Sequence, residues 1–277
     1  MSIKTVNCYF GHHKCASTWI IKLVYDICAL TGQRVFEKQS ILIPSLRETI
    51  TSRNTDFYVC QTSVYEKICT IKNYRGFHVI RDPRDIITSG YFSHLYSHKT
   101  DGWNSLYQHR QQLKKVSKDE GILKEIEFSS YFIDHIMDWN YNDPDILEIK
   151  MEDLIVNTKV ELIRILNHLN LFDENQPYGL LEYKIIELIN RLLRKTVHKN
   201  MPVKLNSKIV SSIVEKNTFE KMTGGRKVSK ENVKSHYRKG ISGDWKNHFK
   251  EIHLNFFENT YPGLIEKLGY EIGQTPN

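Results

Sequence analysis

Apolar and polar positions alternate along this chain with two different periods. Short runs of β-branched and aromatic residues predict four strands, at 5–10, 56–61, 76–80 and 145–150. Apolar residues at helical spacing predict helices at 17–32, 86–97, 127–139 and 159–171. Strands separated by helices favour an α/β fold with a central, mostly parallel sheet flanked by helices.

The chain shows few signs of internal division. Its 277 residues contain no linker rich in Pro, Gly or Ser and no visible repeat, which favours a single domain over 1–277. The segment from about 180 to 250 is helix-rich and then rich in lysine and glycine, and no strand is predicted there.

Composition limits the cellular setting and the partners. No apolar stretch approaches the ~20 residues of a membrane span, and the start MSIKTVNCYF lacks signal-peptide features, so we expect a cytoplasmic protein with no membrane partner. Five cysteines without a CxxC pair indicate reduced thiols and no metal. The net charge of +7 favours an anionic partner. That partner could be nucleic acid, a membrane surface or a polyphosphorylated small molecule, and charge alone does not choose among them. Because the basic residues are spread out and no nucleic-acid-binding signature occurs, a solvated surface explains most of them, and no nucleic-acid partner is expected.

The loop after the first strand reads GHHKCAST (11–18) and carries a candidate anion site. Lys14 offers a cation, Ser17 and Thr18 offer hydroxyls, and the start of the next helix offers backbone N–H groups. The loop therefore has the elements of a phosphate loop, although the GxxxxGK[ST] sequence is absent.

The loop after the third strand reads RDPRDIITSGY (81–91). Arg81 at the strand end suits a phosphate group through its planar fork, and Ser89 follows inside the next helix. The same letters also fit a salt-bridged helix start with Pro83 in its first turn. Two such loops on neighbouring strands favour the anion site, since strand ends meet at one edge of a parallel sheet.

A third stretch, YRKGISGDWKNHF (237–249), closely resembles the RKGxxGDWKNHF signature of cytosolic sulfotransferases. The other motifs resemble that family in the same order: KCASTW (14–19), Arg81 with Ser89, KMEDL (150–154) and NTFEKM (217–222). The resemblance extends from about 5 to 270 and implies a P-loop-like sulfotransferase fold.

The resemblance implies an enzyme that transfers a sulfuryl group from 3′-phosphoadenosine 5′-phosphosulfate (PAPS) to a hydroxyl or nitrogen of a small-molecule acceptor, leaving 3′-phosphoadenosine 5′-phosphate (PAP). Lys14 is then catalytic, because it neutralises charge that grows on the bridging oxygen. The implied donor-binding residues are Lys14, Cys15, Ala16, Ser17 and Thr18 at the 5′-phosphosulfate, Arg81, Ser89, Arg238, Lys239 and Gly240 at the 3′-phosphate, and Trp19 and Phe219 at the adenine. Packing in the core is the alternative for Trp19.

The usual catalytic base of the family is missing. Cytosolic sulfotransferases carry Lys-Thr-His after the second strand, where this chain reads Cys60-Gln61-Thr62. Glu37 lies where heparan-type sulfotransferases place a glutamate base, and His13, His94 and His98 are further candidates. A strand-edge carboxylate and surface or core histidines are the alternatives.

Two other functions remain open at this stage. A non-catalytic PAPS- or PAP-binding relative would explain the missing base, and a P-loop nucleotide kinase would require GxxxxGK[ST] and an acidic Mg²⁺ ligand, neither of which is found. We expect loops around 36–66, 90–110 and 223–236 to select the acceptor. The HHKCAST loop resembles bacterial secondary-metabolite sulfotransferases that act on guanidinium alkaloids of the saxitoxin type. The oligomeric state is not predicted.

Overall fold

The computed structural model describes residues 4–40, 54–196 and 200–272. The chain divides into two compact units, of which unit 1 comprises Met1–Ile80 and Trp139–Thr218 and unit 2 comprises Arg81–Asp138 and Phe219–Asn277. Within the described ranges, no helix has both the length and the apolar composition needed to cross a bilayer. The single domain predicted from the sequence stays a prediction.

Unit 1 contains a five-stranded sheet. Its strands are β1 (Val6–Phe10), β2 (Val35–Ser40), β3 (Phe57–Thr62), β4 (Tyr74–Ile80) and β5 (Ile146–Lys150). The order is β2-β3-β1-β4-β5, and all four pairings are parallel, so the predicted α/β fold with a parallel sheet is confirmed. The sequence pattern missed β2, because VFEKQS is an edge strand with charged and polar residues.

The helices of the described residues follow in chain order. They are α1 (Ser17–Thr31), α2 (Tyr65–Ile68), α3 (Pro83–Phe92), α4 (Asn104–Leu113), α5 (Lys118–Phe128), α6 (Ser130–Met137), α7 (Met151–Val156), α8 (Thr158–His168), α9 (Leu180–Thr196), α10 (Ser207–Lys216), α11 (Phe219–Met222), α12 (Glu251–Thr260) and α13 (Leu264–Lys267). A π-helix (Ser93–Ser97) continues α3, and a 3₁₀ turn (Asp244–Asn247) precedes α12.

Helical predictions agree with the structure in part. Helix α1 ends where Gly32 adopts φ 71° and donates its N–H to the Cys28 carbonyl, as the Gly signal predicted. The pattern at 127–139 is divided between two helices, since α5 ends at Phe128 and α6 begins at Ser130. Between 180 and 250, the described residues form helices, turns and loops, in agreement with the prediction of no strand.

Both faces of the sheet in unit 1 are covered by apolar side chains. One core lies between the sheet and α1, α7, α8 and α10, and it includes Ile20, Val24, Val59 and Leu166. A second core covers the opposite face and includes Phe10, Tyr58 and Trp139. Burial on both faces explains why these strands read as continuous apolar runs.

The sheet topology makes neighbours of the two strands that precede the predicted loops. β1 is the central strand and pairs with β4, so both loops leave the same edge of the sheet. The chain leaves β4 at Ile80 to form the first segment of unit 2 and returns to unit 1 at Trp139, before β5. Carboxyl ends of parallel strands are the usual position of ligand sites in such folds.

Candidate functional site

In unit 1, the loop between β1 and α1 folds around the carbonyl oxygen of His12. The Cys15 N–H and the Ser17 hydroxyl donate to this oxygen, at 3.2 and 3.1 Å. Lys14 and Ala16 adopt left-handed conformations with φ of 64° and 56°, which cost an L-residue about 1–2 kcal/mol each. Left-handed residues in tight turns help to turn backbone N–H groups into one concavity, which is a common way to bind an anion.

Helix α1 begins without a side-chain cap. Ala16 is its N-cap residue, and the first turn contains no acidic residue. The positive end of the helix dipole therefore adds to the charge of the half-buried Lys14. Thr18 is exposed and Ser17 is half-buried. The loop therefore combines a cation with a left-handed backbone, and anion binding by it stays a prediction.

Trp19 lies in the first turn of α1, directly after the loop 11–18. Its half-buried ring packs against the apolar core that α1 shares with the sheet. Its indole N–H donates to the carbonyl of Asn217 at 2.9 Å. Core packing therefore accounts for part of the ring's environment, and stacking on adenine stays a prediction.

The rings of His12, His78 and Trp139 form a buried aromatic cluster next to this loop. The sequence analysis did not predict this cluster. The ring of His78 stacks on Trp139 with 3.8 Å between centroids, and the His12 ring lies edge-on to both, at 4.8 and 5.6 Å. The Glu148 carboxylate binds His78 Nδ1 at 2.6 Å and accepts the Trp139 indole N–H at 2.9 Å. His12, whose carbonyl accepts the two hydrogen bonds of the loop, is thereby packed against His78 of β4 and against Trp139, and Glu148 of β5 binds both of these residues.

Glu37, a predicted catalytic base, lies on β2. Its carboxylate accepts the Tyr25 hydroxyl at 2.6 Å and the Gln61 amide at 2.5 Å. Burial, together with the hydrogen bond to Glu37, raises the pKa of Tyr25 to about 12. Gln61 belongs to the stretch where the resembled family has its histidine. The carboxylate is therefore oriented by two neighbours, which an exposed edge carboxylate would lack.

The candidate histidines have different surroundings. His13 is half-buried in the loop beside Lys14. His94 is fully buried, and its Nδ1 lies 2.8 Å from Glu125, which His109 Nε2 also approaches to 2.8 Å. His98 Nδ1 lies 2.9 Å from a backbone carbonyl. His94 is thus a core histidine in a buried cluster, as the alternative interpretation proposed.

In unit 2, helix α3 begins with the salt-bridged turn that the sequence also allowed. Asp82 caps the helix by accepting the Arg84 N–H at 2.9 Å, and Pro83 occupies the first turn. The Arg84 guanidinium binds the Asp82 carboxylate at 2.7 Å and lies 3.8 Å from the centre of the Trp245 ring. The Arg84 side chain therefore stabilises the start of α3.

One face of α3 connects two sequence motifs of unit 2. Arg81, Asp85 and Ser89 are four residues apart, so they share this face. The fully buried Asp85 accepts the N–H groups of Gly243 and Trp245, at 2.6 and 2.8 Å, and lies 3.7 Å from the Arg81 guanidinium. The sequence analysis missed Asp85, which ties the RDPRD segment to the turn after Arg238-Lys239-Gly240.

Between these two N–H groups lies Asp244, a buried carboxylate surrounded by donors. Arg238 and Lys239 both form ion pairs with it, the latter at 2.6 Å. Asn247 donates at 2.9 Å, and His248 Nε2 lies at 3.2 Å. Burial alone would raise the pKa of Asp244, but the hydrogen bonds from His248, Lys239 and Arg238 hold it below its usual range.

Gly240 lies against the ring of Phe219. A Cβ atom at Gly240 would come within 2.6 Å of this ring, and the glycine has φ 71°. The Arg226 guanidinium lies 5.0 Å from the centre of the same ring and donates to the carbonyls of Tyr237 and Arg238. Arg226, which the sequence analysis did not single out, therefore joins the segment 223–236 to the RKG motif.

The predicted acceptor loops are described only in part. Residues 41–53 lie outside the described residues. Of the aromatic residues in the segment 90–110, Tyr91 is buried, whereas Tyr96 and Tyr107 are half exposed. Tyr65 donates its hydroxyl to Asp143 at 2.9 Å. The choice of acceptor therefore stays a prediction.

Comparison with known proteins identifies related chains. Residues 61–269 match the family model of the sulfotransferase domain. Sulfotransferase 6B1 of Danio rerio is 26% identical over 186 residues, which are 66% of this chain and 49% of that protein. The match thus spans about half the length of this curated relative.

A solved structure shares the fold. The crystal structure of mouse sulfotransferase SULT7A1 complexed with PAP superimposes with a TM-score of 0.60 and 14% sequence identity, covering 95% of this chain and 85% of that chain. At this level of identity, the likeness supports the predicted fold and leaves ligands and residue roles to be argued from the site itself.

Proposed function

This chain belongs to the sulfotransferase family, and from that premise we propose that it transfers a sulfuryl group from PAPS to a hydroxyl or nitrogen of a small-molecule acceptor. The observation that carries the proposal is the loop between β1 and α1. Lys14 and Ala16 keep left-handed conformations there, although neither is glycine. Such strain persists mainly where function requires the geometry.

The charges in this loop suit the reaction. As the bond between sulfur and the bridging phosphate oxygen breaks, the electron pair stays on that oxygen, and the Lys14 ammonium with the amides of α1 stabilises the charge. A new bond forms between sulfur and the acceptor oxygen or nitrogen, which loses its proton. The transfer depends on in-line placement of donor and acceptor.

Glu37 is the best-supported recipient of the acceptor proton. Tyr25 and Gln61 orient its carboxylate, at 2.6 and 2.5 Å. A carboxylate that two donors already hold in place loses little entropy when it accepts a proton from the acceptor. His13, beside Lys14, is the second candidate.

In unit 2, Arg81, Ser89, Arg238 and Lys239 are proposed to bind the 3′-phosphate of the donor. The planar fork of arginine suits the oxygens of a phosphate group. Phe219, whose ring is half-buried, is proposed to stack on the adenine. The acceptor is proposed to be small and polar, with guanidinium alkaloids of the saxitoxin type as one class to test.

Calorimetric titration with PAP tests the donor site, with ADP and AMP as controls. Binding at micromolar or lower Kd that requires the 3′-phosphate is the expected result. Equal binding of ADP, or no binding of PAP, would contradict the proposal. Incubation with PAPS and an acceptor panel that includes alcohols, amines and guanidines then measures PAP release. Tight PAP binding without transfer to any acceptor would favour a non-catalytic relative.

A further inference from the structure

The hydrogen bonds around Asp244 extend beyond Arg238 and Lys239 of the RKG motif to a further lysine, Lys118. Lys118 Nζ on α5 lies 2.6 Å from His248 Nδ1, and His248 Nε2 lies 3.2 Å from Asp244. If the lysine donates to Nδ1, the imidazole is neutral and its Nε2–H donates to the carboxylate. A hydrogen-bonded chain thus links Lys118 to the carboxylate that also binds Arg238 and Lys239.

Arg238 and Lys239 therefore bind one buried carboxylate directly, and Lys118 is linked to it through His248. The Asp244 side chain has no solvent exposure, whereas the Arg238 and Lys239 side chains are 12% and 21% exposed. Asp244 and Glu231, which also pairs with Arg238, bring two negative charges against three cations, so the cluster retains positive charge for an external anion.

The backbone of Asp244 is held as firmly as its side chain. Asp85 accepts the N–H groups on either side of it, at 2.6 and 2.8 Å. Gly243 has φ 74°, which allows the tight turn into the 3₁₀ segment. Asp244 can therefore serve as a fixed point from which Arg238 and Lys239 take their orientation.

We propose that Asp244 is a positioning residue that sets the preference for a 3′-phosphate, and that Lys118, acting with His248, is a further member of this phosphate-binding cluster. The inference rests on the proposed function, because it names residues of the same donor site. Its ligand is a phosphate monoester dianion, for which several fixed cations are better suited than one.

The substitution Asp244→Asn distinguishes the effect of Asp244 on the orientation of Arg238 and Lys239 from its effect on the net charge of the cluster. It removes a negative charge, which by itself would strengthen anion binding. It also replaces one acceptor oxygen with an NH₂ group that faces donors at a site without solvent, so Arg238 and Lys239 lose their common anchor. Glu231→Gln is the charge-matched comparison, since this carboxylate is 39% exposed and pairs with the same Arg238.

The experiment is titration of each full-length variant with PAP and with AMP. For Asp244→Asn we expect the ratio of PAP to AMP affinity to fall about tenfold or more. For Glu231→Gln we expect the ratio to stay within about threefold of wild type. Asp138→Asn makes the same Asp-to-Asn substitution at an exposed position of unit 2, and it should leave the ratio unchanged. A ratio that is unchanged or raised in Asp244→Asn would overturn the positioning role.

Lys118→Gln keeps the inference testable if Asp244→Asn does not fold. Lys118 is exposed, so its replacement should leave the fold intact. We expect PAP affinity to fall about three- to tenfold, with AMP affinity unchanged. Lys115→Gln, an exposed lysine nearby in sequence, should change neither. Equal PAP affinity in both lysine variants would overturn the role of Lys118, whereas failure of wild type to prefer PAP would overturn the proposed function instead.

Discussion

The buried cluster around Glu125 makes a quantitative prediction about stability and pH. Glu125 has no solvent exposure, and its oxygens lie 2.8 Å from His94 Nδ1 and 2.8 Å from His109 Nε2. The Ser129 hydroxyl donates to it at 2.7 Å. Burial alone would raise the pKa of Glu125, but the charge of His94 and the hydrogen bonds from His109 and His94 lower it from 4.5 to about 2.

This shift corresponds to a stabilising contribution of about 3 kcal/mol, since each pKa unit is worth about 1.4 kcal/mol. Because the pKa is lower in the folded state than in the unfolded chain, the contribution is complete above pH 4.5. It is lost as the pH falls from 4.5 through about 2, because the carboxylate is protonated in both states only below the folded-state pKa.

Urea unfolding of Glu125→Gln, followed by circular dichroism at pH 7 and pH 3, tests this reasoning. At pH 7 we expect the free energy of unfolding to fall by about 3 kcal/mol, and at pH 3 we expect a smaller difference from wild type. Glu127→Gln changes an exposed residue on the same helix and should alter stability by less than about 0.5 kcal/mol. Equal losses in the two variants at pH 7 would refute the assignment of a buried charged cluster.

Three further substitutions test the candidate site. Lys14→Ala should lower turnover of PAPS about 10²–10³-fold and weaken PAP binding only modestly, as measured by PAP release and calorimetry. Glu37→Gln should lower turnover about 10²-fold without changing PAP affinity. Gly240→Ala should weaken PAP binding, because its Cβ would lie 2.6 Å from the Phe219 ring at φ 71°, and should lower stability by about 1–2 kcal/mol.

Matched controls accompany these changes. Lys22→Ala removes a lysine from α1 and should leave turnover unchanged. If Lys14→Ala also left turnover unchanged, Lys14 would have no part in the mechanism. Turnover of wild-type rate in Glu37→Gln would direct the search for the base to His13. Gly263 has φ 69° with open space around its Cβ position, so Gly263→Ala should cost similar stability and leave PAP binding intact.

Much of the fold could be predicted from local pattern. The spacing of apolar residues and the residues typical of element ends predict the strands β1, β3, β4 and β5 and the helices α1 and α8. Both signals depend on residues only a few positions apart in the chain. β2 was missed because VFEKQS is an edge strand whose pairing, and not its composition, makes it a strand. Ser129 divides one apparent helical pattern into two helices for a similar reason, since an apolar period continues across the break.

The sequence by itself determined which loops carry cations and hydroxyls, because Lys14, Arg81 and Arg238 stand in motifs whose letters are contiguous. Only the tertiary structure decided what holds them. Asp85 and Gly243 are 158 positions apart, and His12 meets His78 and Trp139 only after the sheet has formed. Periodicity reports which face of an element is buried, whereas the partner of a buried polar group depends on distant segments that the folded chain brings within hydrogen-bond distance.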